Sequence, residues 1–368
     1  MKKLIGTGIF ILILGIFWGI ERRSFLSSPL GNGLKRVEKK KDYRVVGFLP
    51  TWTVGETINY CDEINEMIFL GIEVGTDGGL IWDSQSNRLK SEAFAKLKNG
   101  FEKCGGKTIL GIKMFEDEKI DIFLESEVSR QNLLKELKEQ VREGEFRGVN
   151  VDFEYQSNPT AVLDDKFVGF IRELKEANLG EISLDVFANT VIKGGGETKK
   201  LLDELDYMIV MAYDFHRPGV DFAGPVAPIG SPIGERNIWE VAEKTLKNGL
   251  DSKKIVMAYP LYGYEWKTLT KNFGSEVEPG WWALASYKRM KKMTEGEEFW
   301  DEESMTPWRV YESEGEIRQI YYENLESLAN KFLLVRDNNF GGVGFWALGY
   351  EGEYKDVWKT LSGMLDED

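Results

Sequence analysis

Short apolar runs alternate along this chain with stretches whose apolar residues recur every three or four positions. The runs are RVVGFLP (44–50), EMIFLGIEV (66–74), KTILGIKM (107–114), GVNVDFEY (148–155), EISLDVFA (181–188), YMIVMAY (207–213), KIVMAYPLY (254–262) and GGVGFWALG (341–349). Each is short and rich in Val, Ile and Phe, as expected of buried strands. Between them EAFAKLKNGFEKCG, RQNLLKELKEQVREG, DKFVGFIRELKEAN and NIWEVAEKTLKNG predict amphipathic helices, and YKDVWKTLSGML predicts one more after the last run. Eight strands separated mostly by helices predict a parallel α/β sheet closed into a (β/α)8 TIM barrel over residues 43–362, with an open doubly wound sheet as the alternative. VGTDGGLIWD (74–83) carries an Asp-Gly turn and predicts a hairpin extending the second strand. The chain between Tyr262 and Gly341 is too long for one crossover, so a small insertion between strands 7 and 8, about residues 265–320, is expected beside the barrel mouth.

The N-terminus breaks this alternation. Residues 4–20 are apolar and uncharged, roughly 25 Å as a helix, the short end of what spans a bilayer. Lys2 and Lys3 precede them as in a secretory signal. Phe17, Trp18 and Ile20 crowd the position of a cleavage site, so residues 1–22 read as a signal-anchor, with a cleaved signal peptide as the alternative. Basic residues on both sides leave the positive-inside rule undecided. Residues 23–42 read as a polar tether. The expectation is a monomeric, extracytoplasmic barrel held at the membrane by its N-terminal helix, or secreted if that segment is removed.

Composition removes several kinds of chemistry. Among 368 residues, 61 acidic against 47 basic side chains give a net charge of −14, which opposes binding of nucleic acid. One histidine, His216, and two cysteines, Cys61 and Cys104, are too few for a zinc site built from several such ligands, and no GxSxG stretch offers His216 a serine nucleophile. No metal or cofactor is expected. His216 reads as a loop brace more than as a proton carrier. The cysteines read as buried thiols, with a disulfide as the alternative if the strands that follow them are neighbours. GGVGFWA contains GxGxxA but lacks a following βαβ unit, and FEDEKIDIFLESE lacks the spacing of a calcium loop.

The informative stretch is GVNVDFEY. Val149, Val151 and Phe153 alternate with Asn150, Asp152 and Glu154, so a barrel strand here points an amide and two carboxylates inward. Burying carboxylates without full compensation costs on the order of several kcal/mol, so a chain that keeps them has a use for them. A solvated edge strand is the bland alternative. Glu154 lies near the strand's C-terminal end, where barrel sites form. Asp152 and Glu154 approach a ligand from one side, unlike the flanking carboxylates of ordinary glycosidases. Glu154 suits a proton donor, while the nucleophile must come from elsewhere, such as a 2-acetamido group on the substrate.

RGVNVDFEY resembles the DGxDxDxE signature of glycoside hydrolase family 18, which includes chitinases and related N-acetylglucosaminidases. MAYDFH (211–216), YPLYGYEW (259–266), GGVGFWALGYE (341–351) and GFLPTW (47–52) are similar to its sixth, seventh, eighth and first strands. The resemblance implies that Glu154 protonates the glycosidic oxygen and then serves as base for water. Asp152 would polarise the acetamido N–H while its carbonyl oxygen attacks the anomeric carbon, Tyr213 would bond that carbonyl, and Asp214 would support the pocket. Trp346 would floor the sugar, with Gly342 and Gly344 on its face leaving room for the ring. Met211 would pack beside the methyl group. Tyr262, Tyr264 and Trp266 either stack sugars at the rim or pack beneath the insertion; Tyr262 is counted with the substrate-binding residues. Arg147 and Asn150 replace the first two aspartates of the signature, and LGIKMF (110–115) stands where SxGG is absent. Asn150 is expected to present an amide to Asp152 where chitinases offer a carboxyl, and is counted as substrate-binding.

Asn150 with YGYEW and FWALGYE is more similar to the bacterial spore-cortex and cell-wall branch, so peptidoglycan competes with chitin as the GlcNAc-containing polysaccharide partner. The resemblance implies a hydrolase of β-linked N-acetylglucosamine polymers. A non-catalytic, lectin-like glycan binder on the same barrel is the alternative.

Overall fold

A computed structural model describes residues 43–55, 60–231 and 235–366. Its strands are β1 (Arg44–Pro50), β2 (Glu66–Val74), β3 (Leu80–Ile81), β4 (Lys107–Met114), β5 (Gly148–Phe153), β6 (Glu181–Phe187), β7 (Tyr207–Met211), β8 (Ile255–Pro260), β9 (Tyr262–Thr268), β10 (Val277–Ser286), β11 (Glu297–Asp301), β12 (Thr306–Ser313), β13 (Glu316–Tyr321) and β14 (Gly342–Trp346). Eight of them pair in parallel, β1-β2-β4-β5-β6-β7-β8-β14, and β14 pairs back onto β1. Closure excludes the open sheet: β1 is hydrogen-bonded on both sides, Val46 lying against Gly344 and against Glu66. β3 folds back antiparallel on β2 through the Asp-Gly turn.

The apolar runs become barrel strands because each carries two buried faces. One face meets the helices: Val149, Val151 and Phe153 join the outer core, where Phe153 packs on Phe123 and Phe170 at 5.9 and 5.8 Å between ring centroids. The other face fills the interior with Val46, Phe48, Ile68, Leu70, Ile109, Ile209, Val256 and Ala258. At the N-terminal end a charged network plugs the barrel. Tyr207 donates to buried Glu66 at 2.9 Å, and Arg44 bridges Glu66 and Glu181, with Lys107 on Glu181 at 3.1 Å. With that end closed, the C-terminal end is the one left open.

The helices follow the expected periodicity. Residues 92–103, 127–143, 165–176 and 238–247 are helical, and the four N-caps, Ser91, Ser126, Asp164 and Asn237, accept backbone N–H groups.

Between β8 and β14 the chain builds a second, antiparallel sheet in the order β10-β9-β13-β12-β11. Only Leu261 separates β8 from β9. The two sheets share an aromatic seam of Tyr262, Tyr264, Trp266, Trp308 and Tyr321, against which Tyr213 and Trp346 also pack. Gly263 is required there, because a Cβ would sit 1.8 Å from the Tyr321 carbonyl oxygen.

Cys61 and Cys104 form a disulfide, not the pair of buried thiols favoured from sequence. Cys61 precedes β2 and Cys104 precedes β4, and these strands are neighbours, which brings the Cα atoms to 5.4 Å. The apolar run 4–20 and the tether lie outside the described residues. Among the described residues no helix is long and apolar enough to cross a membrane.

The bond joins residues 43 positions apart. In the chain-entropy account its loss, by Cys61→Ser with Cys104→Ser, should lower the unfolding free energy by roughly 2–4 kcal/mol. Denaturant titration of the two forms checks this, and an unchanged midpoint would contradict it.

Candidate active site

At the open end lies a cleft of about 820 Å³ whose lining includes Asp152, Glu154, Asp185, Met211, Tyr213, Asp214, Tyr262 and Trp346. Seven of those side chains were singled out from sequence; Asp185 was not. They meet because strand ends converge there. β5 delivers Asp152 on its inward face and Glu154 just past its last residue, where the Glu154 N–H is held by the Met114 carbonyl at 2.9 Å. β7 delivers Met211, then Tyr213 and Asp214. Asp214 adopts φ 57°, a left-handed turn that Asp tolerates better than most residues. β14 ends on Trp346, and the Trp346–Ala347 peptide bond is cis.

Alternation on β5 is real and buried. All six of its residues are buried and it is paired with β4 and β6, so the solvated edge strand is excluded. Asn150, however, does not line the cleft. It lies one layer below, fully buried, donating its amide hydrogens to Ser183 at 3.1 Å and Asp185 at 2.9 Å. Its expected partner, Asp152, receives none of them, because β5 and β6 run in parallel register with Asn150 beside Ser183 and both donor positions are taken on that side. A Cβ on Gly342 would meet the Arg44 carbonyl at 2.1 Å, so its smallness serves barrel closure and not a sugar ring, whereas one on Gly344 would meet the Ala258 side chain at 3.1 Å inside the barrel.

The electrostatics are set by burial. Asp152 is held well above the ordinary carboxylate range by desolvation, then by the charges of Glu154 and Asp185, with Lys113 opposing. Protonated, it donates to Glu154, while its Oδ1 has no partner. Glu154 is also raised, by desolvation first, while hydrogen bonds from Gln156 and Asp152 pull it back. Asp185 is raised by desolvation against the restraining bond from Asn150. Burial lifts Asp214 too, opposed by Tyr262 Oη at 2.6 Å and Tyr264 Oη at 3.3 Å. Tyr213 is kept neutral by burial and by the neighbouring Asp185 and Asp152. Four carboxyl groups therefore share a pocket that favours fewer than four charges, an arrangement that retains a proton above the ordinary carboxylate range.

The aromatic rim divides in two. Tyr262 and Tyr264 line the cleft, whereas Trp266 is buried beneath the second sheet against Tyr321. Trp346 rests on Phe48 and Trp52, at 5.7 and 6.2 Å. Trp52 and Trp282, each about half exposed at 49% and 51%, extend the apolar surface outward; neither was picked out from sequence. His216 Nδ1 bonds the Pro225 carbonyl at 2.9 Å, bracing its loop. Among the described residues no cluster of His, Cys, Asp and Glu is arranged to hold a metal ion.

Comparison with known proteins gives one family. The profile described as glycosyl hydrolases family 18 matches residues 44–351. The cortical fragment-lytic enzyme of Bacillus subtilis is 27% identical over 270 residues, covering 70% of this chain and 59% of that protein. The chain spans about half the length of the curated relatives it matches. Among solved structures, the Group IV chitinase of Ostrinia furnacalis in complex with allosamidin superposes with a TM-score of 0.76 at 18% identity, covering 88% of this chain and 99% of that one. The Bacillus cereus spore cortex-lytic enzyme SleL superposes with a TM-score of 0.70 at 18% identity, covering 90% and 77%. These two likenesses speak for the fold.

Because Asp152 has a raised folded-state pKa, its stability contribution is complete below the unfolded value of 3.8 and is lost as pH rises through the folded one. Asp152→Asn should therefore raise Tm by roughly 2–4 °C at about pH 8, with little gain at about pH 4. Calorimetry at both pH values checks this; equal shifts at the two would contradict it.

Proposed function

The chain belongs to the glycosyl hydrolases of family 18, and we propose that it cleaves β-linked N-acetylglucosamine polymers by substrate-assisted catalysis with Glu154 as general acid and base. The observation that carries this reading is the convergence of Glu154, Asp152, Tyr213 and Trp346 on one cleft. Glu154, its proton affinity raised by burial, donates to the glycosidic oxygen as the bond breaks. Asp152 passes the proton it shares to Glu154, which gives it to the glycosidic oxygen, and turns as a carboxylate to the acetamido N–H, while the acetamido oxygen attacks the anomeric carbon to form an oxazolinium ion. Tyr213, neutral and buried, donates its hydroxyl to that acetamido oxygen and so fixes its direction of attack. Glu154, now ionised, takes a proton from water, which opens the ring with retention of configuration. Trp346 and Met211 offer the apolar floor and the methyl contact. Asp214 is fixed by Tyr262 and Tyr264 beside this pocket. A lectin-like role is not favoured, since every group the chemistry needs lines the cleft.

The rim favours a polymer that carries carboxylates. The protein has net charge −14, yet Lys113, Lys193, Arg217 and Arg236 line the cleft and none of them forms an ion pair among the described residues. Neutral chitin gains little from such cations, whereas the lactyl and peptide carboxylates of peptidoglycan do. An extracytoplasmic site of action agrees with this substrate and with the Cys61–Cys104 disulfide, a bond that persists in oxidising compartments.

Glu154→Gln should lower kcat on the cleaved polymer by about 10²–10⁴-fold while leaving oligosaccharide affinity largely intact. Mass spectrometry of products from chitooligosaccharides and from purified peptidoglycan reads this. Wild-type protein that binds both polymers and cuts neither would overturn the enzymatic reading. Lys193→Gln with Arg236→Gln should reduce kcat/KM on peptidoglycan by about fivefold at low salt and leave chitooligosaccharide cleavage unchanged. Equal effects on both polymers would point to a neutral substrate.

A further inference from the structure

The signature that this chain resembles places a carboxylate two residues before Asp152, and here that position holds Asn150. The missing carboxylate has a counterpart on the next strand. β5 and β6 are in register with Asn150 beside Ser183, so Asp152 and Asp185 follow two residues later on adjacent strands, facing the same interior. Asp185 is 3% exposed, lines the cleft floor with Asp152 and Glu154, and accepts the Asn150 amide at 2.9 Å.

We propose that Asp185 is a positioning residue for the reaction, supplying from β6 the carboxylate that the signature would supply from position 150. The inference rests on the reading of Asp152 and Glu154 as the reacting pair.

Two physical arguments carry it. The first is valence. The Asn150 amide has two hydrogens and both are spent on β6, one on Ser183 and one on Asp185. All that Asn150 can still offer is Oδ1, an acceptor, and this atom is buried without a partner, as is Asp152 Oδ1. Asp185 thus fixes which end of the amide is left for Asp152. A proton on Asp152 can be accepted by Asn150 but never taken by it, so exchange of that proton is restricted to carboxyl neighbours. The second argument is the cost of burial. An isolated buried carboxyl accepting a single amide bond is an expensive way to hold Asn150, since a second serine would do so without charge. Keeping an acid there is explained if its charge acts on Asp152 and Glu154. The groups facing Asp185 are Asn150, Asp152 and Glu154 from β5, Tyr213 beyond the end of β7, and Tyr207 below, which bonds Ser183; Lys113 on β4 faces Asp152 from the opposite side. No cation adjoins Asp185 among these, so its influence on Asp152 is repulsive and keeps that group protonated until substrate offers it an N–H.

The test uses the full chain with Asp185→Asn and the reciprocal exchange Asn150→Asp/Asp185→Asn, which keeps one amide and one carboxyl but swaps their strands. Asp185→Asn is expected to lower kcat by about tenfold with KM nearly unchanged, and to move the basic limb of the pH profile to lower pH as the Asp152–Glu154 pair ionises more readily. The exchanged protein is expected to recover most of the kcat and the profile. Carboxyl ¹³C titration of Asp152 and Glu154 reports the same shift without substrate. It tests the proposal even if wild-type protein cleaves neither chitooligosaccharide nor peptidoglycan, an outcome that would count against the proposed function alone. Should Asp185→Asn fold poorly, the exchanged protein carries the comparison. Wild-type kcat, profile and carboxyl midpoints in Asp185→Asn would overturn the proposal, as would an exchanged protein that folds but stays as impaired as the single variant.

Discussion

A strand hydrogen-bonded along both edges can point its side chains in only two directions, and β5 is such a strand. Once Val149, Val151 and Phe153 are committed to the helix layer, Asn150, Asp152 and Glu154 have nowhere to go but the barrel interior. A slip of one residue would drive three phenyl and isopropyl groups inward and three polar groups into the outer core. The register is therefore held by the whole apolar shell around Phe123, Phe167 and Phe170, and the position of the acidic groups is a by-product of packing several ångströms away. The acidic groups of the cleft are anchored by residues that never touch it.

The interior is graded from one end to the other. At the bottom, Arg44 and Lys107 neutralise Glu66 and Glu181, so charge there is matched and locked. In the middle, methyl and phenyl groups exclude water. At the top, Asp152, Glu154, Asp185 and Asp214 face a cleft where Lys113 and Arg217 oppose them without pairing with them. Excess acid at the upper layer is tolerable because the lower two layers give the fold its stability, leaving the upper one free to be poorly matched.

Much of this was legible in the chain. Eight apolar runs and the helices between them define the barrel because burial on two faces leaves a continuous hydrophobic record, and the Asp-Gly turn marks β3. The alternation in GVNVDFEY gives the direction of Asp152 and Glu154 from periodicity alone. What escaped was lateral. Asp185 sits in EISLDVFA with the same apolar flanks as Asp152, and that pattern was available as a signal; its proximity to Asn150 depends on how β6 registers against β5. Trp52 and Trp282 each occupy segments without strong periodicity, so their place on the rim depends on tertiary contact. The disulfide was hidden for a related reason, since pairing of Cys61 with Cys104 requires knowing that β2 and β4 are neighbours. The smallness of Gly342 reads in sequence as room for a ligand, whereas the neighbouring Arg44 backbone takes that space.

Tyr262 is the first residue of the second sheet, separated from the end of β8 by Leu261 alone, and also holds Asp214 of the barrel. One intervening residue thus ties the outer wall of the cleft to its acidic floor. Divergence in such a protein has an uneven terrain. β9 is pinned by Tyr262 at one end and by the backbone contact at Gly263, and the turns after β9 and β11 are bonded to the loops at Ala223 and Ile229, while β10 and β12 keep exposed side chains, Trp282 among them, that can change size or sign. Those outer strands can be redrawn, generation after generation, without the carboxyl groups of the cleft ever being displaced.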